Sequence, residues 1–467
     1  MSDFSAIHDM HLTASFLDAG DQTIRADIAN IEQGKLTLEI YAPFRNLRRG
    51  DLIRNLVVSG AGFEVAVGDA HLSDKIDTRL GMLVSLDLDE GSSDLFEGVG
   101  AAVSDIAASA SLSNLSFMHS NIETGFRVSV DDWRRTLESI SVWAERYGLE
   151  EQKRFADSRA LGEACQRAAA PLFSAINECV ASFEREAARI PLELATIHQQ
   201  YARRVLHPAV LSAPFVYRAY SKPLGFPGDY GVVDQILSDP WQGPTIYSRI
   251  VNSAFLSAAP AQAHRNRVEI LESKLRETAT RAVGESRTAS VLNIGCGPAA
   301  EIQRFIEKSV NCVNLEFTLV DFCTEAIEYA RAQIYKVTGL TKRPVKVTFL
   351  DQSVDKLISK GLQFHSAGEG YDFIYCAGLF DYLSDRTCQK LLSRLHTLLK
   401  SDGRILVTNV HPRNPIPLMM EYILDWRVIH RSDSSMIGIL PRDVSISAPS
   451  IYADASEVNI FMEIRKA

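Results

Sequence analysis

Over the first 95 residues, apolar and polar positions alternate in short runs: "TIRADIANIE" (23–32), "KLTLEIYA" (35–42), "NLVVSG" (55–60), "FEVAVGDAHL" (63–72) and "RLGMLVSLDL" (79–88). Gly, Asn and Asp separate them. A period of two buries one face of each strand, so residues 1–95 are expected to form a small β-barrel or sandwich. From about Asp131 to Val210 the period lengthens to that of a helix. "VDDWRRTLESISVWAERYG" opens on acids and stops at Gly148, and the pattern continues through "PLELATIHQQYARRVL" (191–206). These apolar stripes read as core. Residues 215–237, "FVYRAYSKPLGFPGDYGVVDQIL", combine aromatics, Gly and Pro without a period, and read as a loop that either connects or lines a site. Residues 96–245 are thus expected to be a helical region carrying an aromatic, Gly/Pro-rich loop.

Beyond Ser290 strand-like and helix-like segments alternate. "ASVLNIG" leads into "AAEIQRFIEKSV", and "FTLVD" into "TEAIEYARAQIYKVTG". "VKVTFLD" and "YDFIYCAG" follow, then "RTCQKLLSRLHTLLK", "GRILVTNV" and a last strand in "EVNIFMEIRK". That order predicts an α/β domain over residues 246–467, with a largely parallel sheet covered by helices on both faces.

Composition narrows the partners. The chain has 467 residues and a formal net charge of −9. Phosphate contacts need a surplus of Lys and Arg, so nucleic acid is not the expected partner. No apolar run is long enough for a transmembrane segment, and no signal-peptide pattern opens the chain. A cytoplasmic location is expected. The seven cysteines form no C-x-x-C pair and no cluster with His at metal-ligand spacing, so no metal site is expected.

The candidate chemistry sits at strand ends. In sheets of this kind ligands bind at the carboxyl ends of the strands, where the strand order reverses. Gly295 and Gly297 end the first strand, Asp321 the second, and Asp351 and Gln352 the third. "GCGPAA" also satisfies the dinucleotide fingerprint, but Pro298 removes a backbone N–H where a pyrophosphate would want one. A third polar strand end is also more than a nicotinamide dinucleotide needs.

The whole set resembles the class I S-adenosylmethionine-dependent methyltransferases. The resemblance covers about residues 246–467 and rests on "VLNIGCGPAAE", "FTLVD", "VTFLDQS", "YDFIYCAGLFDYLSD" and "LLKSDGRILVTNV". It implies a Rossmann-like seven-stranded sheet whose last strand is reversed, and S-adenosyl-L-methionine as cofactor. The implied cofactor-binding residues are Asn293, Gly295, Cys296 and Gly297, then Asp321 and Phe322, Asp351 and Gln352, and Ala377 and Gly378. Asp321 would accept from the ribose hydroxyls and Asp351 from the adenine amine, while "CAGLFDY" would line the pocket below the methyl group. The sequence departs from the family at one position and shows a common variation at another. Asn293 stands where an Asp or Glu is usual, and Ala299 replaces a third glycine.

For the acceptor side, the candidate catalytic residues are Tyr230, His411, Asp381 and Tyr382. A carboxylate or amine acceptor needs no strong base, whereas a hydroxyl acceptor does. Arg265 and Arg267, a helix upstream of the glycine turn, offer a guanidinium for a carboxylate of cofactor or substrate. Solvated arginines and a structural histidine are the plainer readings of the same residues.

Two narrower resemblances complete the reading. Arg45 and Arg49, ahead of "SGAG" (59–62), resemble the arginine pair and Ser/Gly turn of PilZ domains, with Val57 where that motif has Asp or Asn. The strand pattern is also PilZ-like. "KPLGFPGDYGVVDQI", "APAQAHRNR", "AGLFDYLSDR" and "NVHPRNP" resemble a bacterial group of extracellular-factor, 3-hydroxypalmitic acid methyl ester biosynthesis methyltransferases. That resemblance implies a small-molecule, fatty-acid substrate, methylated on its carboxyl oxygen to make a quorum-sensing ester, and it is compatible with a homodimer. The alternative is a regulatory protein that uses the methyltransferase fold to sense a nucleotide or dock a partner. A nicotinamide-dependent oxidoreductase comes third.

Overall fold

The computed structural model describes residues 13–18, 23–32, 35–40, 47–60, 63–77, 82–88, 122–152, 158–362, 370–442, 444 and 447–466. Arg45 and the Ala61–Gly62 half of the "SGAG" turn lie outside them. The chain divides into two compact units.

The first unit comprises residues 1–227, 239–256 and 416–426. Its N-terminal part is a closed antiparallel barrel of six strands: β1 (Thr13–Leu17), β2 (Thr23–Glu32), β3 (Lys35–Ile40), β4 (Leu52–Gly60), β5 (Phe63–Asp77) and β6 (Met82–Leu88), in the order β1-β2-β3-β6-β5-β4. Closure pairs every edge. The period of two does what the sequence promised, because Phe16, Ile24, Leu36, Leu38, Val58, Leu72, Val84 and Leu86 fill the interior. Strand β1 is an addition to the sequence reading.

Helices α1 (Thr124–Gln152), α2 (Ser158–Ala187), α3 (Ala195–Val210) and α4 (Pro214–Ser221) belong to the same unit. Trp133 is fully buried and lies against Phe183 (5.6 Å between ring centroids) and Phe255 (6.4 Å). Residues 215–237 are not a plain loop, contrary to expectation. They contain most of α4 and the whole of α5 (Tyr230–Leu237), a helix of the second unit. Eight residues each is too short for periodicity to show. The boundary signals are there, however: Pro214 at the start of α4, and Asp229 capping α5 by accepting from the amides of Gly231 and Val232.

The first unit is completed by α6 (Ile246–Leu256), and the second contains α7 (Ala259–Gly284). The sheet of the second unit has seven strands: β7 (Ala289–Ile294), β8 (Leu315–Asp321), β9 (Lys346–Asp351), β10 (Tyr371–Cys376), β11 (Leu399–Val410), β12 (Ser450–Ala453) and β13 (Asn459–Arg465). Their order is β12-β13-β11-β10-β7-β8-β9, with β13 antiparallel to β11. Both faces are covered, as a parallel sheet requires. On one face α7, α8 (Ala300–Lys308) and α9 (Thr324–Thr341) pack over Val291, Phe317 and Phe373. On the other, α10 (Val354–Lys360) and α11 (Asp385–Thr397) pack over Leu292, Ile374 and Val407. The expected seven-stranded sheet with a reversed last strand is present, preceded by the barrel and the helical region.

Helix α12 (Pro417–Ile423) lies in sequence between β11 and α13 (Asp433–Gly438), yet it belongs to the first unit. Glu184 accepts from the amides of Leu418 (3.2 Å) and Met419 (2.5 Å) at its N-terminus. Arg203 donates to the carbonyls of Tyr422 (2.6 Å) and Glu421 (3.0 Å), and His207 Nε2 donates to that of Ile423 (2.9 Å). Glu184 at the N-terminus and the Arg203 guanidinium at the C-terminus both match the helix dipole.

Candidate active site

The order reverses at β7, which has β8 on one side and β10 on the other. The loops leaving these strands therefore diverge and open a cleft. Three glycines shape it. Gly295 (φ +70°), Gly297 (φ +49°) and Gly378 (φ +94°) all have left-handed backbones. A Cβ on Gly297 would meet nothing within 4 Å, whereas one on Gly378 would lie 2.9 Å from a guanidinium nitrogen of Arg267. Ala299 also has a positive φ, 51°, as it leads into α8. Without glycine's freedom that costs about 1–2 kcal/mol.

Asp321 is buried and holds the turn. Its Oδ2 accepts from the Gly297 amide (2.9 Å) and its Oδ1 from the Cys323 amide (3.1 Å). Burial pushes its carboxyl above the ordinary value, and these amides oppose the shift. A carboxylate has about four lone-pair sites, so acceptor capacity remains. Phe322, next along, is 54% exposed. Asp351 pairs with Asp321 across β8 and β9 and is exposed, with Thr324 Oγ1 donating to it (3.0 Å). Gln352 is buried and serves the fold, its side-chain amide donating to the Gly361 carbonyl (2.6 Å).

Beneath the glycine turn lies a polar cluster that no motif in the sequence announces. Asn293 Nδ2 donates to Glu301 Oε1 (3.1 Å), and the Tyr375 hydroxyl donates to the same oxygen (2.7 Å). Asn293 Oδ1 is buried and has no hydrogen-bond partner. Burial raises the Glu301 carboxyl pKa, while Tyr375 and the nearby Arg267 oppose that. The signal was legible in principle, as an acid in the first turn of the helix after the motif. Cys296 is buried in the turn, with its thiol pushed well up by burial.

Of the two candidate arginines, the structure distinguishes one. Arg265 donates to the Ile236 carbonyl (3.0 Å) and to Gln262, a structural role. Arg267 lies against Gly378 and donates to His264 Nδ1 (2.8 Å). Burial lowers its pKa, and Asp381, Tyr382 and Glu301 counter this.

On the acceptor side, Asp381 is buried, and its Oδ1 accepts from the Val410 amide (2.7 Å). Burial pushes its pKa up to about 6, against Arg267 and Arg431. Tyr382, beside it, is 40% exposed. Gly378, after Ala377, donates its amide to Thr408 Oγ1 (3.0 Å), tying the β10 loop to β11. His411 is buried. Its Nδ1 accepts from the Arg413 amide (3.0 Å) and Nε (3.2 Å), so the ring lone pair is occupied. Burial and Arg413 lower its pKa. Tyr230, on α5, lies against Tyr329 of α9 (centroids 4.8 Å apart, rings tilted by 31°), and the Tyr329 hydroxyl donates to Asp234 of α5 (2.7 Å).

The sheet order, the glycine turn and the strand-end acids define a class I methyltransferase domain. Consistent with this, residues 292–405 match the family model described as a methyltransferase domain. The C-terminal domain is therefore a class I S-adenosylmethionine-dependent methyltransferase domain, and the chain is a methyltransferase that uses S-adenosylmethionine. A search of curated proteins finds no match. The solved structures to which the chain is similar include three distant proteins. One is a possible exported protein from Bordetella parapertussis (17% identity, covering 51% of this chain and 79% of that one, TM-score 0.40). The second is magnesium protoporphyrin IX methyltransferase from Synechocystis PCC 6803 (14%, 54% and 98%, 0.36). The third is the N-methyltransferase NodS from Bradyrhizobium japonicum WM9 (15%, 51% and 97%, 0.30). These likenesses carry no argument about the acceptor.

The residues present fit the cofactor. Gly297 leaves open space where a Cβ would stand, and Asn293 Oδ1 is a buried acceptor without a donor. No described helix is long and apolar enough to cross a membrane, and no group of described His, Cys, Asp and Glu residues could hold a metal.

Proposed function

We propose that the chain methylates the carboxyl group of a small apolar acid, of the 3-hydroxy fatty acid class. Gly295, Cys296 and Gly297 would carry the cofactor's methionine and ribose portion, and Asp321 its ribose hydroxyls. Phe322 and Asp351 would meet the adenine, with Gln352 bracing that loop. Ala377 and Gly378 would floor the pocket, and Arg267 would hold the cofactor's carboxylate. When bound, the cofactor supplies an electrophilic methyl group.

The observation that carries the carboxylate reading is the state of the candidate bases. The His411 Nδ1 lone pair is taken by Arg413, and Asp381 is buried, with Oδ1 accepting from the Val410 amide. An acceptor that arrives as an anion is already the nucleophile and asks for no base. The chain's task is then alignment and exclusion of water. The Ile429 amide donates to the Asp381 carbonyl (2.7 Å), and the partly exposed Ile429 (41%) and Tyr382 (40%) would offer apolar surface on the acceptor side. They suit an apolar chain. The fatty-acid assignment itself rests on the sequence resemblance.

The test uses S-adenosylmethionine with a deuterated methyl group and 3-hydroxy fatty acids of several lengths. The expected product is a labelled, base-labile methyl ester. A label found only on a different compound from a cell extract removes the fatty-acid reading. Cofactor bound but no label anywhere supports the regulatory alternative.

A further inference from the structure

The family's usual acid before the glycine turn is absent from this chain, yet the structure returns a carboxylate to the same place from another element. Asn293 sits at the end of β7. Glu301, eight residues later in the first turn of α8, is 6% exposed and bonded directly to the Asn293 amide. An ionised carboxylate this buried is costly unless it is paired. Two neutral donors, Asn293 and Tyr375, share one of its oxygens. Arg267 is the cation near it that also borders the cleft, at Gly378, and Arg304 is the other. The Asn293 amide is oriented by Glu301, which leaves Oδ1 as the unpartnered acceptor.

We infer that Glu301, through Asn293, is the positioning acid for the cationic amino end of the cofactor. The charge that position 293 lacks is supplied from α8, and Asn293 relays it by presenting its oxygen to the ammonium. This rests on the cofactor placement proposed above. It accounts for three facts at once: a buried acid with no salt bridge among the described residues, a buried amide oxygen without a donor, and a departure from the family motif that would otherwise weaken binding.

The test compares two ligands by calorimetry on the full chain. S-adenosylhomocysteine carries the amino-acid end, and 5′-methylthioadenosine lacks it. Glu301→Gln keeps the shape and removes the charge. It should weaken S-adenosylhomocysteine about tenfold or more, the scale of one lost charge interaction, and leave methylthioadenosine within about threefold. The double variant Asn293→Asp with Glu301→Gln exchanges acid and amide and should restore S-adenosylhomocysteine to within about threefold of wild type. Equal losses for both ligands, unchanged S-adenosylhomocysteine binding, or a folded double variant that does not recover each overturns the role of Glu301. Wild-type protein that binds neither ligand overturns the cofactor placement as well.

Should Glu301→Gln not fold, the wild-type pH profile decides. Glu301 faces Asn293, Tyr375, Arg267, Arg304 and Cys296. The phenol and the thiol are pushed up by burial and stay protonated, and arginine keeps its charge. His264, on Arg267, is held neutral well below its ordinary value. The preference for S-adenosylhomocysteine over methylthioadenosine should therefore shrink as pH falls through the raised range in which Glu301 takes up a proton. A preference that stays flat over the whole pH range in which the protein stays folded overturns the proposal.

Discussion

The guanidinium of Arg431 donates to the Asn409 side-chain oxygen at 2.7 Å, deep inside the second unit. Arg431 is 2% exposed and also donates to the carbonyls of Phe380 (2.7 Å) and Leu383 (2.6 Å) and to Asp385. One planar fork thus ties β11 to the loop that carries Asp381 and Tyr382. Lysine cannot reproduce that fork. Arg431→Lys should destabilise the second unit by about 2–5 kcal/mol, because several buried acceptors lose their donor. Chemical denaturation followed by a probe in this unit checks it, and a loss under 1 kcal/mol would contradict it.

Gly297 and Gly378 should respond differently to alanine. Gly297→Ala meets open space, so the ligand-free protein should lose only about 1–2 kcal/mol to its positive φ. Its affinity for S-adenosylhomocysteine should nonetheless fall at least about tenfold, because the new methyl group fills the proposed cradle. Gly378→Ala collides with Arg267 even without ligand and should lower the melting temperature further. Melting curves and calorimetry on both variants separate the two effects. Equal affinity in Gly297→Ala and wild type would remove that glycine from the cofactor site.

Asp321 does two things, and its substitution should show both. It holds the Gly297 and Cys323 amides, so Asp321→Ala leaves two N–H groups without their acceptor. A stability loss of about 1–3 kcal/mol should accompany the loss of cofactor binding. Asp321→Asn should keep part of the stability while still binding cofactor poorly. Wild-type affinity in either variant would remove Asp321 from the cofactor site.

Glu184 should make the first unit's stability depend on pH. Burial raises its pKa to about 7, against the pull of the Leu418 and Met419 amides. A carboxyl raised in the folded state binds more protons folded than unfolded. Its contribution is therefore full below the ordinary carboxylate range and is lost as pH rises through about 7. Glu184→Gln should flatten the decline in melting temperature between about pH 5 and 8. Parallel curves for wild type and variant would show that the group does not titrate there.

His411→Asn should keep turnover within about threefold, because an amide oxygen can still accept from the Arg413 amide. Should turnover fall a hundredfold while cofactor affinity holds, His411 is the general base after all, and a hydroxyl acceptor becomes the better reading.

Much of this protein was legible in its sequence, because local rules govern it. The barrel strands showed in the period of two, with Leu36, Leu38, Val84 and Leu86 all inward. The glycine turn and the strand-end acids showed because a parallel strand must end where its loop begins. The eight-residue helices α4 and α5 did not show, being shorter than the window that reveals a period. Strand β1, at five residues, was shorter still. The cofactor and the class of reaction followed from motifs spaced by the fold itself.

What tertiary structure alone decided is which polar groups meet. Nothing in the spacing says that Glu301 turns to Asn293, that Arg267 rather than Arg265 borders the cleft, or that the His411 lone pair is already taken by Arg413. Nor does it say that residues 416–426 leave their sequence neighbours to be capped by Glu184 and Arg203. Period and turn chemistry are properties of a few adjacent residues, so the sequence determines them by itself. Hydrogen bonds and charge pairs between distant elements depend on where packing brings the side chains, and only the folded chain sets that.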